Sequence, residues 1–219
     1  MQSDWLRKNT ESPLNIWVVG RSEKFVRATH AAFPQSTIRV ISWRALDPAS
    51  CSGPKPDLLV VCGYDYSTYL CSGSSCIERN VIKPANWITK MAGSNVPVIY
   101  VTTADGKVGK TWSRYRYAKT RLACELKNRA VNVRVTKFPT ILDEQGNVDV
   151  HGGIISRWIF ELAVLLRMVQ VVPFSDLAVA LAQSASANTP NWDVAELKPR
   201  FLSIPRTNFA DRVLRMLCG

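Results

Sequence analysis

Tyr115, Tyr117, Lys119 and Arg121 form two interleaved pairs of a phenol and a cation, each pair four residues apart. Residues at that spacing share a helix face, so Lys119 can hold its ammonium beside Tyr115 and pull the phenol below its ordinary pKa of about 10. A tyrosine tuned in this way works as a general acid or base. Tyr117 and Arg121 repeat the spacing with a guanidinium, which keeps the charge but is bulkier and forks its donors. Because residues two apart on a helix point about 200° apart, only one of the two pairs can face a site. Two hydroxyls, Thr102 and Thr103, end the apolar run that precedes this segment.

These side chains need a scaffold, and the hydrophobic pattern supplies one. Short apolar runs bounded by turn residues alternate with longer helical stretches, which is the pattern of parallel βαβ units. Strands are expected at 15–19, 38–42, 58–62, 98–102 and 133–137, and helices at 23–32, 78–92, 114–129, 154–169 and 176–184. With 219 residues, 47% of them hydrophobic, the chain can bury one full core and reads as a single domain. Residues 15–184 would form that core, 1–14 an N-terminal extension and 185–219 a tail packed on the body. In a parallel sheet ligands bind beyond the carboxyl ends of the strands. The informative residues are therefore Gly20-Arg21-Ser22, Trp43-Arg44, Gly63-Tyr64-Asp65, Thr102-Thr103-Ala104 and Phe138-Pro139-Thr140.

Composition narrows the partners. The balance of 28 Lys+Arg against 17 Asp+Glu gives a net charge of +11, which suits an anionic partner without choosing one. The basic residues are scattered, the densest group running from Lys107 to Arg121, and no reading helix, zinc-finger spacing or aromatic RNA-binding signature accompanies them. Nucleic acid is thus a minor alternative. Of the six cysteines only Cys71 and Cys76 are close, with no second pair or nearby His, so no metal site is expected. They lie in a Ser/Gly stretch and read as exposed thiols, whereas Cys62 and Cys124 sit in apolar patterns and read as small buried side chains. Residues 154–174 are greasy but carry Arg157, Glu161 and Arg167, which argues for a packed helix over a membrane span. A cytoplasmic protein in a reducing compartment is expected.

The segment Val98-Ile-Tyr-Val-Thr-Thr-Ala-Asp-Gly-Lys-Val-Gly109 followed by Tyr115-Arg-Tyr-Ala-Lys-Thr-Arg-Leu-Ala-Cys-Glu125 resembles the catalytic region of the short-chain dehydrogenase/reductase superfamily, in its epimerase-like branch. Other pieces agree in order. Pro56-Asp-Leu-Leu-Val-Val-Cys-Gly63 resembles the fourth strand, Asn80-Val81 the start of the next helix, Arg134-Val-Thr-Lys-Phe-Pro139 the sixth strand, and Val172-Pro-Phe-Ser-Asp-Leu-Ala178 the opening of a late helix. The resemblance spans about residues 15 to 182. It implies an α/β fold with a Rossmann-like doubly wound parallel sheet. It also implies an oxidoreductase or epimerase-like activity on a small molecule, with Thr103 orienting the substrate, Tyr115 or Tyr117 as acid/base, and Lys119 or Arg121 at the cofactor ribose.

The same resemblance places a dinucleotide against Gly20, Arg21, Ser22, Arg44, Cys62, Gly63, Lys119 and Pro139. Related chains carry a Gly-rich turn that lets backbone N–H groups approach the pyrophosphate. Here the turn reads Gly20-Arg-Ser-Glu-Lys-Phe-Val-Arg27: the first glycine and the Phe-Val pair are recognisable, the later glycines are missing, and one residue is inserted. No acid follows the second strand to hold a ribose 2′-hydroxyl, so Arg21 and Arg44 favour NADP over NAD. The alternative is a noncatalytic relative that has lost cofactor binding and keeps the fold as a binding or assembly module, with self-association left open.

Overall fold

The computed structural model of the chain describes residues 13–47, 54–103, 114–129, 131–138, 140–142 and 171–186. Five strands, β1 (Asn15–Val19), β2 (Thr37–Ile41), β3 (Leu58–Val61), β4 (Val98–Thr103) and β5 (Val133–Phe138), form one sheet in the order β2-β1-β3-β4-β5. Every neighbouring pair is parallel. The expected α/β class and the five expected strands are present, each within a residue of its anticipated bounds. A short parallel pair, β6 (Thr140–Ile141) with β7 (Val171–Val172), stands apart from this sheet.

The central strand β3 is apolar and buried along its whole length because both faces are covered, as a parallel sheet requires, whereas the edge strand β2 is largely exposed. Alternate residues serve opposite sides. Trp17, Val19, Leu59, Val61, Val98, Tyr100 and Val133 join one core with Val81, Ile88 and Leu122. Ile16, Val18, Leu58, Val60, Ile99 and Val101 join another with Ala28, Leu177 and Leu181. The first is covered by α3 (Lys83–Ala92) and α4 (Arg114–Asn128), the second by α1 (Glu23–Ala32) and α5 (Phe174–Ser186).

Several expectations need correction. The helix anticipated at 78–92 is three segments: α2 (Gly73–Ile77), a single π turn at Glu78–Ile82, and α3. It begins earlier because Ser72 caps it, its hydroxyl accepting from Ser75 N at 3.2 Å, a capping role open to serine in a stretch whose composition suggests a loop. Cys76 is consequently not an exposed thiol: it is fully buried, 3.8 Å from the Tyr64 hydroxyl. Cys71 and the anticipated buried pair Cys62 and Cys124 are half-buried. The expected helix at 154–169, the extension over 1–12, the tail beyond 186, Pro139, Cys51 and Cys218 lie outside the described residues.

The carboxyl ends of β1 and β3 approach closely at two glycines. Val19 O accepts from both Cys62 N (3.0 Å) and Gly63 N (2.9 Å). Gly20 has φ +130°, and a Cβ there would come within 2.7 Å of Gly63 N. Glycine is required at this position twice over, by its backbone conformation and by the close approach. On the other side of Gly63 lies the Trp43 indole, with a hypothetical Cβ only 2.2 Å from the ring carbon Cε3. Gly63→Ala should therefore lower the unfolding free energy by about 1–3 kcal/mol through overpacking. In denaturant titrations a Trp43→Leu background should relieve most of that loss, a non-additivity expected only of residues in contact.

Candidate functional site

Helix α4 turns Lys119 inward and Arg121 outward. Its buried stripe is Arg114, Ala118, Lys119, Leu122, Ala123 and Leu126, the helical spacing of a face packed on a sheet. Lys119 lies within that stripe, 3% exposed. Its Nζ donates to Cys62 O and Val101 O, both at 3.2 Å, at the carboxyl ends of β3 and β4. It also stands 5.1 Å from the centre of the Tyr100 ring and 5.8 Å from that of Tyr115, within reach of the negative faces of both. Tyr100 closes the arrangement by donating its hydroxyl to Lys119 O at 3.0 Å.

Tyr115 is half-buried and belongs to an aromatic group. Its ring meets Tyr64 edge-on at 4.8 Å and stacks on Tyr66 at 5.9 Å, while Tyr64 and Tyr66 are 5.1 Å apart. Arg121, by contrast, turns toward solvent and pairs with Glu125 at 3.0 Å along the same helix, with 43% of its side chain exposed. The structure thus brings Lys119 to the ends of β3 and β4 with Tyr115 beside it, and leaves Arg121 out. Tyr117 is half-buried. Thr103 is the last residue of β4, with its backbone in register with Phe138.

Burial pushes the Lys119 ammonium down to about 8, against an opposing pull from Cys62. Burial likewise pushes the Cys62 thiol up to about 11, with Lys119 opposing it. Cys62 Sγ is directed at Val19 O, 3.6 Å away, in the seam between β1 and β3. Tyr100, fully enclosed, is raised well above its ordinary range by burial first and by its phenolic neighbours second.

Around the ends of β2 and β3 lies a second group of residues. Trp43, 7% exposed, donates its indole N–H to Asn80 Oδ1 at 3.2 Å. Asn80, in the π turn, also accepts from Asp65 N (2.7 Å) and donates to Asp65 O (3.3 Å) and to Thr68 Oγ1 (2.7 Å). Trp43, Arg44, Asp65, Ser67, Arg79 and Lys83 line a cleft of about 360 Å³. Trp43, Arg44 and Asp65 were among the residues anticipated beyond the strand ends; Asn80, Arg79 and Lys83 were not anticipated as ligand residues. The only hint for the last two is their four-residue spacing, which marks many ordinary solvated helix faces.

Solved structures share this fold, three of them as follows. The WbmH enzyme of Bordetella bronchiseptica, in complex with NAD+, matches with TM-score 0.57 at 13% identity over 80% of this chain and 73% of that one. dTDP-4-dehydrorhamnose reductase of Bacillus anthracis, in complex with NADP, matches with TM-score 0.57 at 10% identity over 78% and 70%. L-threonine dehydrogenase of Phytophthora infestans gives 0.57 at 12% over 93% and 88%. The likeness is one of fold. No family model matches the sequence, and no curated protein does.

A dinucleotide in this fold crosses the switch point between β1 and β3 and rests its pyrophosphate on a helix N-terminus. The residues of this chain do not fit that path. The connection from β1 to α1 is only Gly20-Arg21-Ser22, and the exposed Glu23 carboxylate occupies the first turn of α1, where it satisfies the positive end of the helix that a phosphate would otherwise seek. Gly20 backs directly onto Gly63, and Trp43 covers Gly63.

Lys119 offers a check on the inward register that does not depend on any ligand. Its pKa is lower folded than unfolded, so below about 8 both states are charged and the cost of burying the ammonium is fully present. That cost is relieved as pH rises from about 8 toward the ordinary lysine value. The stability of the wild type relative to Lys119→Met should therefore rise by about 3 kcal/mol across that window. A flat difference in urea titrations would mean that Lys119 is solvated and the other register faces the sheet.

Proposed function

We propose that this protein is a noncatalytic binding module built on the short-chain dehydrogenase fold, one that does not run nicotinamide chemistry. The observation that carries this reading is the closed switch point: Gly20 against Gly63, and the Trp43 indole on Gly63. A nucleotide laid there would have to displace a buried tryptophan held by Asn80. It would also have to bring a pyrophosphate beside the exposed Glu23 carboxylate, a like charge that opposes it.

A second reading keeps the enzyme, and the placement of Lys119 favours it. An ammonium at the ends of β3 and β4 with a tyrosine beside it is the arrangement that an NADP-linked reductase or epimerase would use, with Tyr115 as acid/base, Lys119 at the ribose and Thr103 toward the substrate. In the binding-module reading the same contacts are structural. Lys119 satisfies two strand-end carbonyls that would otherwise be buried without donors, and Tyr115 packs on Tyr64 and Tyr66.

Titration with NADPH and NADH, followed by fluorescence, separates the two. The binding module should show no saturable change up to about 1 mM, the upper end of the usual range for a working cofactor or substrate. Glu23→Gly, which removes the carboxylate and allows closer backbone approach, should be the single change most able to restore weak binding. Saturable binding of NADPH by the unaltered protein, together with turnover abolished in Tyr115→Phe, would establish the enzyme instead.

A further inference from the structure

We infer that the cleft between β5 and α5 binds a small monocarboxylate through the guanidinium of Arg134. Strand β5 ends the sheet on the side opposite β2, so this site is separate from the ends of β1 and β3 and holds whichever reading of those ends is correct.

Arg134, the second residue of β5, is only 7% exposed. A buried guanidinium is costly unless it is both hydrogen-bonded and paired with an opposite charge. The chain meets the first need on one side of the group. Nη1 donates to Ser184 O and, at 2.6 Å, to Ala185 O, carbonyls in the last turn of α5, where the negative end of a helix favours a cation. The second need is not met: among the described residues no carboxylate pairs with Arg134. The other edge of the guanidinium, formed by Nε and Nη2, is left over. Nε is enclosed and has no hydrogen-bond partner among the described residues, an orphaned donor of the kind that folded chains rarely keep.

Arg134 lines a cleft of about 310 Å³ with Thr136, Lys137, Ala180, Gln183 and Ser184. With Nη1 turned to the helix end, the polar part of Arg134 left for this space is its Nε/Nη2 edge. That edge carries two parallel N–H groups, the fork that matches both oxygens of a carboxylate. The helix carbonyls hold the guanidinium in one orientation, which preorganises the fork for a ligand. Thr136 Oγ1 and Ser184 Oγ, 2.9 Å apart, tie the strand wall to the helix wall and add hydroxyls beside it. Lys137 contributes a second positive charge, and no acid stands among the described lining residues. A single fork balances a single anionic charge, which selects a carboxylate over a phosphate dianion. The volume is near the small end of ligand pockets, so the remainder of the molecule is short, and Ala180 gives it an apolar contact.

The test is an NMR titration of the full chain with sodium butyrate at constant ionic strength, with butyramide and inorganic phosphate as the comparison probes. Butyrate should bind saturably with a Kd of about 1 mM or tighter and shift the side-chain Nε–H signal of Arg134. Butyramide, which has the same shape without the charge, should leave that signal in place. Arg134→Lys keeps the charge but removes the fork, and should weaken butyrate about tenfold or more. Because that change also removes donors from the end of α5, a second variant leaves Arg134 intact. Gln183→Glu, at an exposed position on the helix wall, tethers a carboxylate beside the cleft and should weaken butyrate by a similar factor through competition. No saturation up to about 10 mM butyrate, equal binding of butyramide, preference for phosphate over butyrate, or an affinity unchanged in Gln183→Glu would overturn the inference.

Discussion

The contact between two glycines at the ends of β1 and β3 sets the geometry of everything above the sheet. Without side chains at Gly20 and Gly63, Val19 O can accept two successive N–H groups from the neighbouring strand end. That draws the chain after β3 into the space beside β1 and leaves a flat glycine surface on which Trp43 rests. Asn80 then fixes the indole and the Asp65 backbone with the two ends of one amide. Its placement depends on the π turn, which adds a residue to the helix where the side chain must reach inward. A single steric permission is thus passed from backbone to indole, from indole to amide, and from amide to the carboxylate that orients two arginines.

The two cations of helix α4 show how position divides similar residues. Arg121 keeps its charge in water and pairs with Glu125, an exposed arrangement that contributes little to stability. Lys119 is taken out of water, and its cost is offset by two strand carbonyls and two aromatic faces. Arginine in the buried position would need partners for five donors where the strand ends offer two carbonyls. The compact ammonium fits a place that the guanidinium does not. The burial that lowers its pKa goes together with contacts that close the ends of β3 and β4, so its chemistry and its structural role cannot be separated by inspecting contacts alone.

The sheet was legible because its central strands are buried on both faces: continuous apolar runs at 16–19, 58–61 and 98–101 have few other solutions in an α/β chain. The register of the tyrosine and cation pairs was not legible, because both spacings satisfy the helix and only tertiary packing chooses between them. The helix at 73–77 was hidden by composition, since Ser72 at its cap and the glycine and serines after it also suit a loop. The cleft was least visible of all. Arg44, Asp65 and Arg79 are far apart in sequence, and the acid that joins them follows β3 as one polar residue among several.

The glycines that remain distinguish two demands that a Rossmann turn places on its sequence. One is internal: Gly20 and Gly63 occupy positions where the protein's own atoms leave no space for a Cβ. The other is external: later glycines in such a turn allow a ligand's phosphate to approach the backbone. Here the internal demand is met in full. Past Gly20 the chain carries Glu23 in the first helical turn and a half-buried Phe25-Val26 pair packed into the core, residues suited to stabilising the helix and to filling space. Glu23 complements the helix dipole, and the apolar pair adds buried area on the face toward the sheet. A turn kept for the fold and filled in where a ligand would come close is a turn shaped by packing. The polar, cation-lined space that remains lies to one side of it, beside Trp43.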